Sequence, residues 1–381
     1  MIVGVEARLL SGNKTGIGRY VFELLRNLEN LLPKARFVLY SPWPFEWKYS
    51  SDRWHIRIDP LADLLSKGRS RWFTKNLWAI LMLPRLVRVD RLDVFWATQA
   101  PFIPLVRDDN AGPPVVTTLH DLPHRVAPRT LRRVSLAGHL ILESRLRHAH
   151  AIVTNSQGTA ERLKTHLGLD ATAVVNPGVS SEFAPKGATE IAECLRRYGV
   201  ERPYLLAVAS ADKRKNLEAL VKAFMDFCSL NSVHNLTLAI VGDVRQSKAL
   251  RRVQRLLNRK EAASIRWLGF VADSDLPALY SGAEGLLFPS LYEGFGMPVL
   301  EARACGTPVL TSDLPETREA GENDAIYVTP TVEGIVSGIG QLLSQSKRPS
   351  VDRDRWSWRR SAEMMASVIE EVASGRRTLT G

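Results

Sequence analysis

The sequence predicts an α/β protein made of two doubly wound lobes in tandem, and three observations support this prediction. The chain has 381 residues, which is more than one hydrophobic core usually organises, so two domains of roughly 150–200 residues are expected. Its apolar segments are short, rich in Val, Ile and Leu, and unalternating, as in parallel strands that are covered on both faces. Helical patterns separate these segments, and this alternation favours a doubly wound sheet.

The first lobe is predicted to span residues 1–183. Its strands are expected at residues 2–7, 36–41, 93–98, 114–119, 151–156 and 172–177. Its helices are expected at residues 18–32 and 158–168. The boundary is placed where Pro, Gly and Ser interrupt the pattern, around residues 180–190.

The second lobe is predicted to span residues 184–355. Its strands are expected at residues 204–210, 236–242, 265–270, 285–290, 308–313 and 325–330. Its helices are expected at residues 215–230, 246–260, 275–283, 298–306 and 331–346. A last helix is predicted over residues 356–374, and we expect the segment 356–381 to return to the first lobe.

Composition narrows the partners and the compartment. The chain carries 51 Lys and Arg against 40 Asp and Glu, and the net charge of +11 suits an anionic partner such as phosphate, a membrane surface or nucleic acid. A nucleic-acid binder would need a localised basic stripe with aromatic residues, so no nucleic-acid partner is expected. The three scattered cysteines predict neither disulfides nor a zinc site. Without a signal-peptide pattern or a spanning apolar run, a cytoplasmic protein is expected.

A glycine-rich turn after the strand at 285–290 is the strongest candidate for a binding site. It places Glu293 and Glu301 on either side of Gly294, Gly296 and Pro298. Proline suits the first helical position, and the free amides at a helix start suit a phosphate. We expect Glu301 in the first helical turn, where it would accept hydrogen bonds from ribose hydroxyls. The alternative is that Glu301 only complements the helix dipole while Glu293 caps the loop.

Several segments resemble one enzyme family. "LYEGFGMPVLEARACGTPVLTSDLPE" (291–316) resembles the motif of two glutamates separated by seven residues in family 4 retaining glycosyltransferases. "VASADKRKNL" (208–217), "TTLHDL" (117–122) and "KTGIGRYVFELL" (14–25) resemble further segments of that family, so the resemblance covers nearly the whole chain. It implies the GT-B architecture, in which two Rossmann-like lobes face each other across a cleft.

The resemblance also implies a role for individual residues. Glu293 would touch the transferred sugar, and His120 would lie near it from the first lobe. Most of the other implied residues would bind the donor: Glu301 its ribose, Arg214 and Lys215 its diphosphate, and Phe295, Gly296 and Met297 through backbone amides. Gly16 and Gly18 would bring backbone close to the phosphates or the acceptor. Many relatives have Gly-Arg where this chain has Ala209-Ser210, so the positive charge falls on Arg214 and Lys215.

The expected activity is that of a retaining, metal-independent hexosyltransferase. By analogy it moves mannose from GDP-mannose to a glycan or polyprenyl-linked glycan in O-antigen or other cell-surface polysaccharide synthesis. The nucleotide sugar is a co-substrate, and neither a metal nor a cofactor is expected. The alternatives are a donor such as GDP-rhamnose or a UDP-sugar, a sugar-nucleotide epimerase of similar fold, and a non-catalytic sugar-binding scaffold.

Three further patterns need an interpretation. Residues 67–91 mix Lys and Arg with aromatic residues, and one hypothesis is that this segment contacts anionic lipid on the inner face of the plasma membrane. The alternative for this segment is a helix with Leu77, Ile80 and Leu81 in the core. The two Asp-x-Asp sequences at 273–275 and 352–354 precede helices, so they are interpreted as N-caps rather than metal ligands. Gly16-Ile17-Gly18 lacks the third glycine of a dinucleotide fingerprint, so no nicotinamide cofactor is expected.

Overall fold

The chain folds into two compact units. The computed structural model describes residues 1–12, 16–49, 51–59, 77–104, 112–127, 142–210, 212–242, 251–253, 255, 257, 259–345 and 348–375. The first unit comprises the described residues of Met1–Leu122, Arg132–Gly178 and Ser357–Gly381, and the second those of Pro123–Leu131 and Val179–Trp356. The boundaries differ from 183 and 355 because Val179 already belongs with the second unit, where its N–H donates to the Trp356 carbonyl at 2.8 Å.

A parallel sheet in the order β3-β2-β1-β4-β5-β6-β7 forms the centre of the first unit. Its strands are β1 Ile2–Glu6, β2 Arg36–Ser41, β3 Trp54–Ile58, β4 Val94–Ala97, β5 Val115–Leu119, β6 Ala151–Thr154 and β7 Ala173–Val174. The order reverses between β1 and β4, which is the doubly wound topology that the sequence predicts. The edge strand β3 was not predicted, because it is mostly exposed and its pattern alternates polar and apolar residues.

The second unit has a parallel sheet in the order β10-β9-β8-β11-β12-β13. Its strands are β8 Tyr204–Val208, β9 Thr237–Val241, β10 Ile265–Gly269, β11 Gly285–Phe288, β12 Val309–Ser312 and β13 Ala325–Val328. Both faces of this sheet are buried: Tyr204 and Leu206 belong to one core cluster, and Leu205 and Ala207 to the other. Successive side chains therefore enter opposite cores, which explains the unalternating apolar pattern.

The helices are numbered here in chain order, separately from the strands. They are α1 Gly16–Leu31, α2 Leu83–Val89, α3 Pro123–Val126, α4 Gln157–Leu167, α5 Ala188–Tyr198, α6 Leu217–Leu230, α7 Arg259–Ala263, α8 Leu276–Gly282, α9 Met297–Ala304, α10 Pro315–Gly321, α11 Val332–Ser344 and α12 Trp358–Ala373. A π-helical turn, Trp78–Met82, leads into α2. Most of the helix predicted over 246–260 lies outside the described residues. Helix α5 was not predicted, because only Cys194 and Leu195 on it are buried.

The last helix, α12, belongs to the first unit. The ring of Trp358 packs against Tyr20 of α1 with a centroid distance of 6.0 Å. The Ser361 hydroxyl donates to the carbonyl of Asn176 at 2.6 Å. A side chain at Gly178 would meet the backbone nitrogen of Trp358 at 2.3 Å, so this position requires glycine. These contacts tie the end of the described chain to the first unit.

Candidate active site

Two loops of the second unit meet at the carboxyl edge of its sheet. One follows β8 and the other follows β11, and the two strands are parallel neighbours. The N–H of Leu291 donates to the carbonyl of Arg214 at 2.7 Å, and the Asn216 amide donates to the carbonyl of Pro289 at 3.1 Å. Loops at this edge of a doubly wound sheet are the usual place for a ligand. The local hydrogen bonds therefore hold the two candidate loops as one structure.

Glu293 lies at the centre of this structure and binds two cations. It is 5% exposed. Its Oε1 accepts a hydrogen bond from Lys215 Nζ at 2.5 Å, and its Oε2 accepts one from Arg214 Nη1 at 2.9 Å. The ammonium of Lys215 also lies 4.4 Å from the centre of the Phe288 ring. Arg214 and Lys215 precede Glu293 by 79 and 78 positions in the chain, and the three side chains form one ion cluster.

A short turn presents the two cations to Glu293. Residues Lys213–Lys215 form a 3-10 turn, and the Asp212 carboxylate accepts hydrogen bonds from the backbone N–H and the Nε of Arg214, both at 3.1 Å. Asn216 ends the turn with φ of +55°, a left-handed conformation that asparagine tolerates. The side chain of Lys215 is only 13% exposed, so this part of the turn is not a solvated loop.

The charges of the cluster are set by burial and by proximity. Burial alone would raise the pKa of Glu293, but the charges of Lys215 and Arg214, with hydrogen bonds from Lys215 and Ser290, bring it below its ordinary value. Burial lowers the pKa of Lys215, and the charge of Glu293 opposes this effect. Glu293 is therefore ionised at neutral pH. With Asp212 bound to Arg214, two carboxylates balance these two cations, and the guanidinium and ammonium groups are the hydrogen-bond donors that suit a phosphate-bearing ligand.

Helix α9 begins beside this cluster. Gly296 is its N-cap with φ of +109°, a conformation that residues with a side chain rarely adopt, and Pro298 lies in the first turn. Because Met297 is the first helical residue, Glu301 lies in the second turn, and its predicted place in the first turn is wrong. The alternative in which Glu301 complements the helix start is not supported either, since the first turn contains no acidic residue.

Glu301 is held by partners different from those of Glu293. It is 7% exposed, and its Oε2 accepts a hydrogen bond from the hydroxyl of Tyr280 at 3.0 Å. Tyr280 is a buried residue of α8, and its carbonyl accepts a hydrogen bond from Thr307 at 2.6 Å. The side chain of Phe295 is buried, and its ring centroid lies 5.6 Å from that of Trp356. This contact anchors the turn that carries Gly296. Glu293 and Glu301 are thus held by separate sets of hydrogen bonds within the second unit.

His120 lies in the first unit, directly after β5. Its Nε2 is 2.9 Å from the carbonyl oxygen of Thr98, so Nε2 carries the hydrogen. Its ring packs edge-on against Tyr20 with a centroid distance of 5.3 Å. Burial lowers the pKa of His120 to about 4, although the hydrogen bond to Thr98 opposes the shift. The imidazole is neutral at pH 7, and it makes the hydrogen bond at a strand end that is typical of a structural histidine.

A buried ion pair next to His120 was not predicted. Glu6 is fully buried at the end of β1, and its carboxylate lies 3.3 Å from Arg8 Nε. The Thr98 hydroxyl donates to the Glu6 carboxylate and, at 3.0 Å, to the Glu6 carbonyl, while the Thr98 carbonyl bonds to His120. The guanidinium of Arg8 lies 4.2 Å from the centre of the Phe102 ring. The sequence feature that could have indicated this pair is Glu6, a carboxylate inside the apolar strand predicted over residues 2–7.

Comparison with known proteins identifies the family. Residues 14–183 match the model of "Glycosyltransferase Family 4", and residues 197–357 match that of "Glycosyl transferases group 1". The chain belongs to the family 4 glycosyltransferases. This glycosyltransferase has the GT-B architecture of two Rossmann-like units, as predicted.

Named relatives and a solved structure add detail. The O-antigen chain mannosyltransferase B of Escherichia coli is 28% identical over 350 residues, which cover 86% of this chain and 87% of the relative. The O-antigen chain mannosyltransferase RfbU of Salmonella typhimurium is 25% identical over 308 residues, 79% of each chain. The structure of Anabaena Alr3699/HepE in complex with UDP-glucose is similar with a TM-score of 0.65 at 16% identity, covering 98% of this chain and 96% of that one.

The predicted glycine loop of the glycosyltransferase lies on a helix. Helix α1 begins at Gly16, so Gly16 and Gly18 both lie in its first turn, and Gly18 is buried. The residues just before them, 13–15, are outside the described part. Met297, the remaining residue predicted to bind the donor, is partly buried and packs against the core of the second unit.

The two Asp-x-Asp sequences do not cap helices with their side chains. Asp275 stands at the N-cap of α8, but its carboxylate instead accepts hydrogen bonds from Arg197 at 2.7 and 2.8 Å and from Tyr198 at 2.8 Å. Asp352 closes a turn before α12 by accepting from the N–H of Arg355 at 3.1 Å, whereas Ser357 caps the helix. Among the described residues, no group of three or more His, Cys, Asp or Glu side chains is arranged to hold a metal ion.

The basic segment 67–91 is described from residue 77 onward. Ile80 and Leu81 are 54% and 48% exposed, so the alternative that places them in the core is wrong. Leu77 is half-buried. Across the ranges that the structure describes, the helices are too short or too polar to cross a bilayer.

Proposed function

We propose that this glycosyltransferase is a retaining, metal-independent mannosyltransferase. It moves mannose from GDP-mannose to a hydroxyl of a glycan or polyprenyl-linked glycan in cell-surface polysaccharide synthesis, at the inner face of the plasma membrane. The observation that carries the proposal is the buried cluster of Glu293, Arg214 and Lys215 beside the start of α9. Two relatives bear the name mannosyltransferase, which supports mannose as the transferred sugar, and a structural neighbour was solved with UDP-glucose, which supports a nucleotide sugar as the donor.

The cluster suits the departure of a nucleoside diphosphate. When the bond between the sugar C1 and the diphosphate oxygen breaks, negative charge develops on the β-phosphate. Arg214 and Lys215 are positioned cations of the kind that stabilises this charge, and the amides at the start of α9 add further donors. In the proposal these groups take the place that a metal ion has in other transferases.

The ionisation of Glu293 defines its part in the reaction. A carboxylate with a lowered pKa has no proton to give at neutral pH, so Glu293 is not the general acid. It instead offers negative charge to a sugar that becomes positive as the bond to the diphosphate breaks. Glu301 accepts hydrogen bonds from the ribose hydroxyls of the donor.

Retention follows if the acceptor attacks from the face that the diphosphate leaves. A bond forms between the acceptor oxygen and C1 while the bond to the diphosphate breaks. The acceptor proton passes to an oxygen of the departing β-phosphate, and GDP is released. No additional base from the protein is needed, which agrees with the low pKa of His120 and of Glu293.

The proposal is tested with a panel of GDP-mannose, GDP-rhamnose and UDP-glucose and a polyprenyl-linked acceptor, with and without EDTA. We expect release of GDP from GDP-mannose, an α-linked product by NMR, and no effect of EDTA on the rate. Replacing Glu293 with alanine should abolish transfer, because the charge that faces the sugar is lost. An active Glu293→Ala enzyme, or transfer that requires a divalent metal, contradicts the assignment; release only from another donor reassigns the sugar.

A further inference from the structure

The buried ion pair of the first unit lies where the strand order of its sheet reverses, between β1 and β4. Glu6 is fully buried at the end of β1, and Arg8 follows it in a 3-10 turn with a side chain that is only 10% exposed. The Glu6 carboxylate accepts a hydrogen bond from the backbone N–H of Arg8 at 3.1 Å. Ligands of doubly wound sheets bind beyond the carboxyl ends of the strands at such a reversal. The ion pair therefore occupies a position where the first unit is expected to hold a ligand of its own.

Most of the Arg8 guanidinium is already engaged by protein. Its Nε faces Glu6 at 3.3 Å, its Nη2 donates to Gln99 Oε1, and its plane lies 4.2 Å from the centre of the Phe102 ring. Among the residues that the structure describes, Nη1 of Arg8 and Nε2 of Gln99 have no hydrogen-bond partner. Unlike Nε of the same guanidinium, neither nitrogen is cut off from solvent. Two hydrogen-bond donors on adjoining side chains are thus left for a ligand.

Thr98 connects these donors to His120. The Thr98 hydroxyl donates to the Glu6 carboxylate, its carbonyl oxygen lies 2.9 Å from His120 Nε2, and Gln99 is the next residue in the chain. If His120 lies near the transferred sugar, as the family resemblance implies, a ligand on Arg8 and Gln99 lies near that sugar too. The acceptor is the substrate that has to approach the sugar, since its hydroxyl forms the new bond.

We propose that Arg8 and Gln99 bind hydroxyl groups of the acceptor's terminal sugar, and that Glu6 makes this subsite select an uncharged sugar over an anionic one. An arginine without a carboxylate partner favours phosphate or carboxylate. Here Glu6 compensates the charge of Arg8, and an anion that approached Nη1 would also be repelled by Glu6. Sugar oxygens accept hydrogen bonds from both side chains without carrying charge. This assignment rests on the proposed function, because it takes the ligand to be the acceptor of the transfer.

Transfer to defined glycosides tests the two binding residues. The purified full-length enzyme receives GDP-mannose with octyl α-mannoside or octyl β-N-acetylglucosaminide, or with the 6-phosphate of either. We expect the wild type to prefer an uncharged glycoside. Arg8→Met should raise the KM of that glycoside about 10- to 100-fold, because hydrogen bonds from a charged group are lost, and should leave the KM of GDP-mannose unchanged. Gln99→Met, at a partly exposed position, should raise the same KM about three- to tenfold.

Glu6→Gln separates charge selection from structural support. The exchange keeps the size of the side chain and an oxygen for the Thr98 hydroxyl, but it leaves the charge of Arg8 uncompensated. We expect kcat/KM for the 6-phosphate, relative to that for the uncharged glycoside, to rise about tenfold. An ion pair that only supports the fold would lower both values together, and that result overturns the proposal.

A double variant covers the case in which urea unfolding shows that Glu6→Gln does not fold. Glu6→Gln/Arg8→Met lacks both charges, and the loss of a whole buried pair is tolerated better than the loss of one partner. Arg8→Met alone leaves the charge of Glu6 uncompensated. The double variant should therefore use the 6-phosphate, relative to the uncharged glycoside, about tenfold better than Arg8→Met does. Equal ratios in these two variants overturn the selection by Glu6.

Arg53→Met is the matched control. Arg53 precedes β3 at the opposite edge of the same sheet and pairs with Glu29 at 3.4 Å, so the exchange removes an ion pair of the same kind. We expect this variant to keep the wild-type KM for every glycoside. Equal increases in KM in Arg53→Met and Arg8→Met, an unchanged KM in Arg8→Met and Gln99→Met, or a wild type that transfers to no uncharged glycoside overturns the proposal.

The donor panel distinguishes this subsite from the proposed function. If the wild type uses UDP-glucose rather than GDP-mannose and Arg8→Met still raises the KM of the uncharged acceptor, the subsite is supported and the proposed donor is rejected. If GDP-mannose is the donor and Arg8→Met leaves the acceptor KM unchanged, the subsite alone is rejected.

Discussion

The exchange of Glu293 for glutamine tests whether the buried carboxylate holds the place of a diphosphate. In the structure, the two oxygens of Glu293 bind Lys215 at 2.5 Å and Arg214 at 2.9 Å. A diphosphate that used these cations would have to compete with the carboxylate. Glu293→Gln removes the competing charge with little change in shape, so we expect it to bind GDP about tenfold more tightly, which corresponds to about 1.4 kcal/mol.

The same exchange should destabilise the second unit. Removing one partner of a buried ion pair costs about 3–5 kcal/mol because the other charge is left without compensation. The side chain of Lys215 is 13% exposed, whereas that of Arg214 is 29% exposed and can turn to water. We therefore expect the lower end, a loss of about 3 kcal/mol. The double variant Glu293→Gln/Lys215→Met, which lacks both buried charges, should recover about half of it.

Calorimetric titration with GDP and urea unfolding measure these two effects. Asp212→Asn is a suitable control, since the Asp212 carboxylate is 44% exposed and its ion pair with Arg214 should contribute about 0.5 kcal/mol or less. Mannosyl transfer by Glu293→Gln should fall by at least about 100-fold, because the charge that faces the reacting sugar is lost. If Glu293→Gln is as stable as the wild type and binds GDP with unchanged affinity, the carboxylate and the diphosphate do not share the cations.

Three further exchanges test the framework around the cluster. Glu301→Ala should weaken donor binding about 10- to 100-fold because it removes a charged hydrogen-bond acceptor, with Tyr280→Phe having a smaller effect in the same titration. Gly296→Ala should lower the free energy of unfolding by about 1–2 kcal/mol, because the φ of +109° is unfavourable for alanine although the nearest side-chain atom lies at 3.5 Å. His120 has a pKa of about 4 in the folded protein and 6.5 in the unfolded chain, so the unfolded chain takes up the proton first as the pH falls. The free energy of unfolding should therefore fall by about 3 kcal/mol in total between pH 6.5 and pH 4. In urea unfolding, His120→Asn should not show this decrease.

Each of these expectations can fail in a recognisable way. Unchanged donor affinity in Glu301→Ala would remove that residue from the donor site. An equally stable Gly296→Ala would mean that the turn before α9 relaxes without cost. The same loss of stability between pH 6.5 and pH 4 in wild type and His120→Asn would assign the acid sensitivity to other groups.

The strands of the second unit were predictable because their cause is local. The central strands β8, β9, β11 and β12 are buried on both sides, so their residues are mostly apolar without alternation, and a run of such residues is visible in the sequence. The edge strand β3 shows the opposite case. It alternates and is mostly exposed, so its pairing with β2 supplies information that its own residues lack.

The start of α9 was predictable to within one residue, and this small difference moved Glu301. Gly296 and Pro298 both mark a helix start, but the sequence does not say whether the first helical residue is Met297 or Pro298. The side chain of Asp275 could not be assigned from its position either. A carboxylate before a helix usually caps it, but here the distant Arg197 and Tyr198 bind it instead.

The sequence by itself determined the kind of chemistry available: a glycine-rich turn with two carboxylates, a separate pair of cations, and a helical segment that is both apolar and basic. These follow from residue types and spacing along the chain. Only the tertiary structure decided that Glu293 meets Lys215 and Arg214, because β8 and β11 become neighbours only when the sheet is ordered. It also decided that Ile80 and Leu81 face solvent, since a helical pattern defines two faces but does not say which of them the rest of the unit covers.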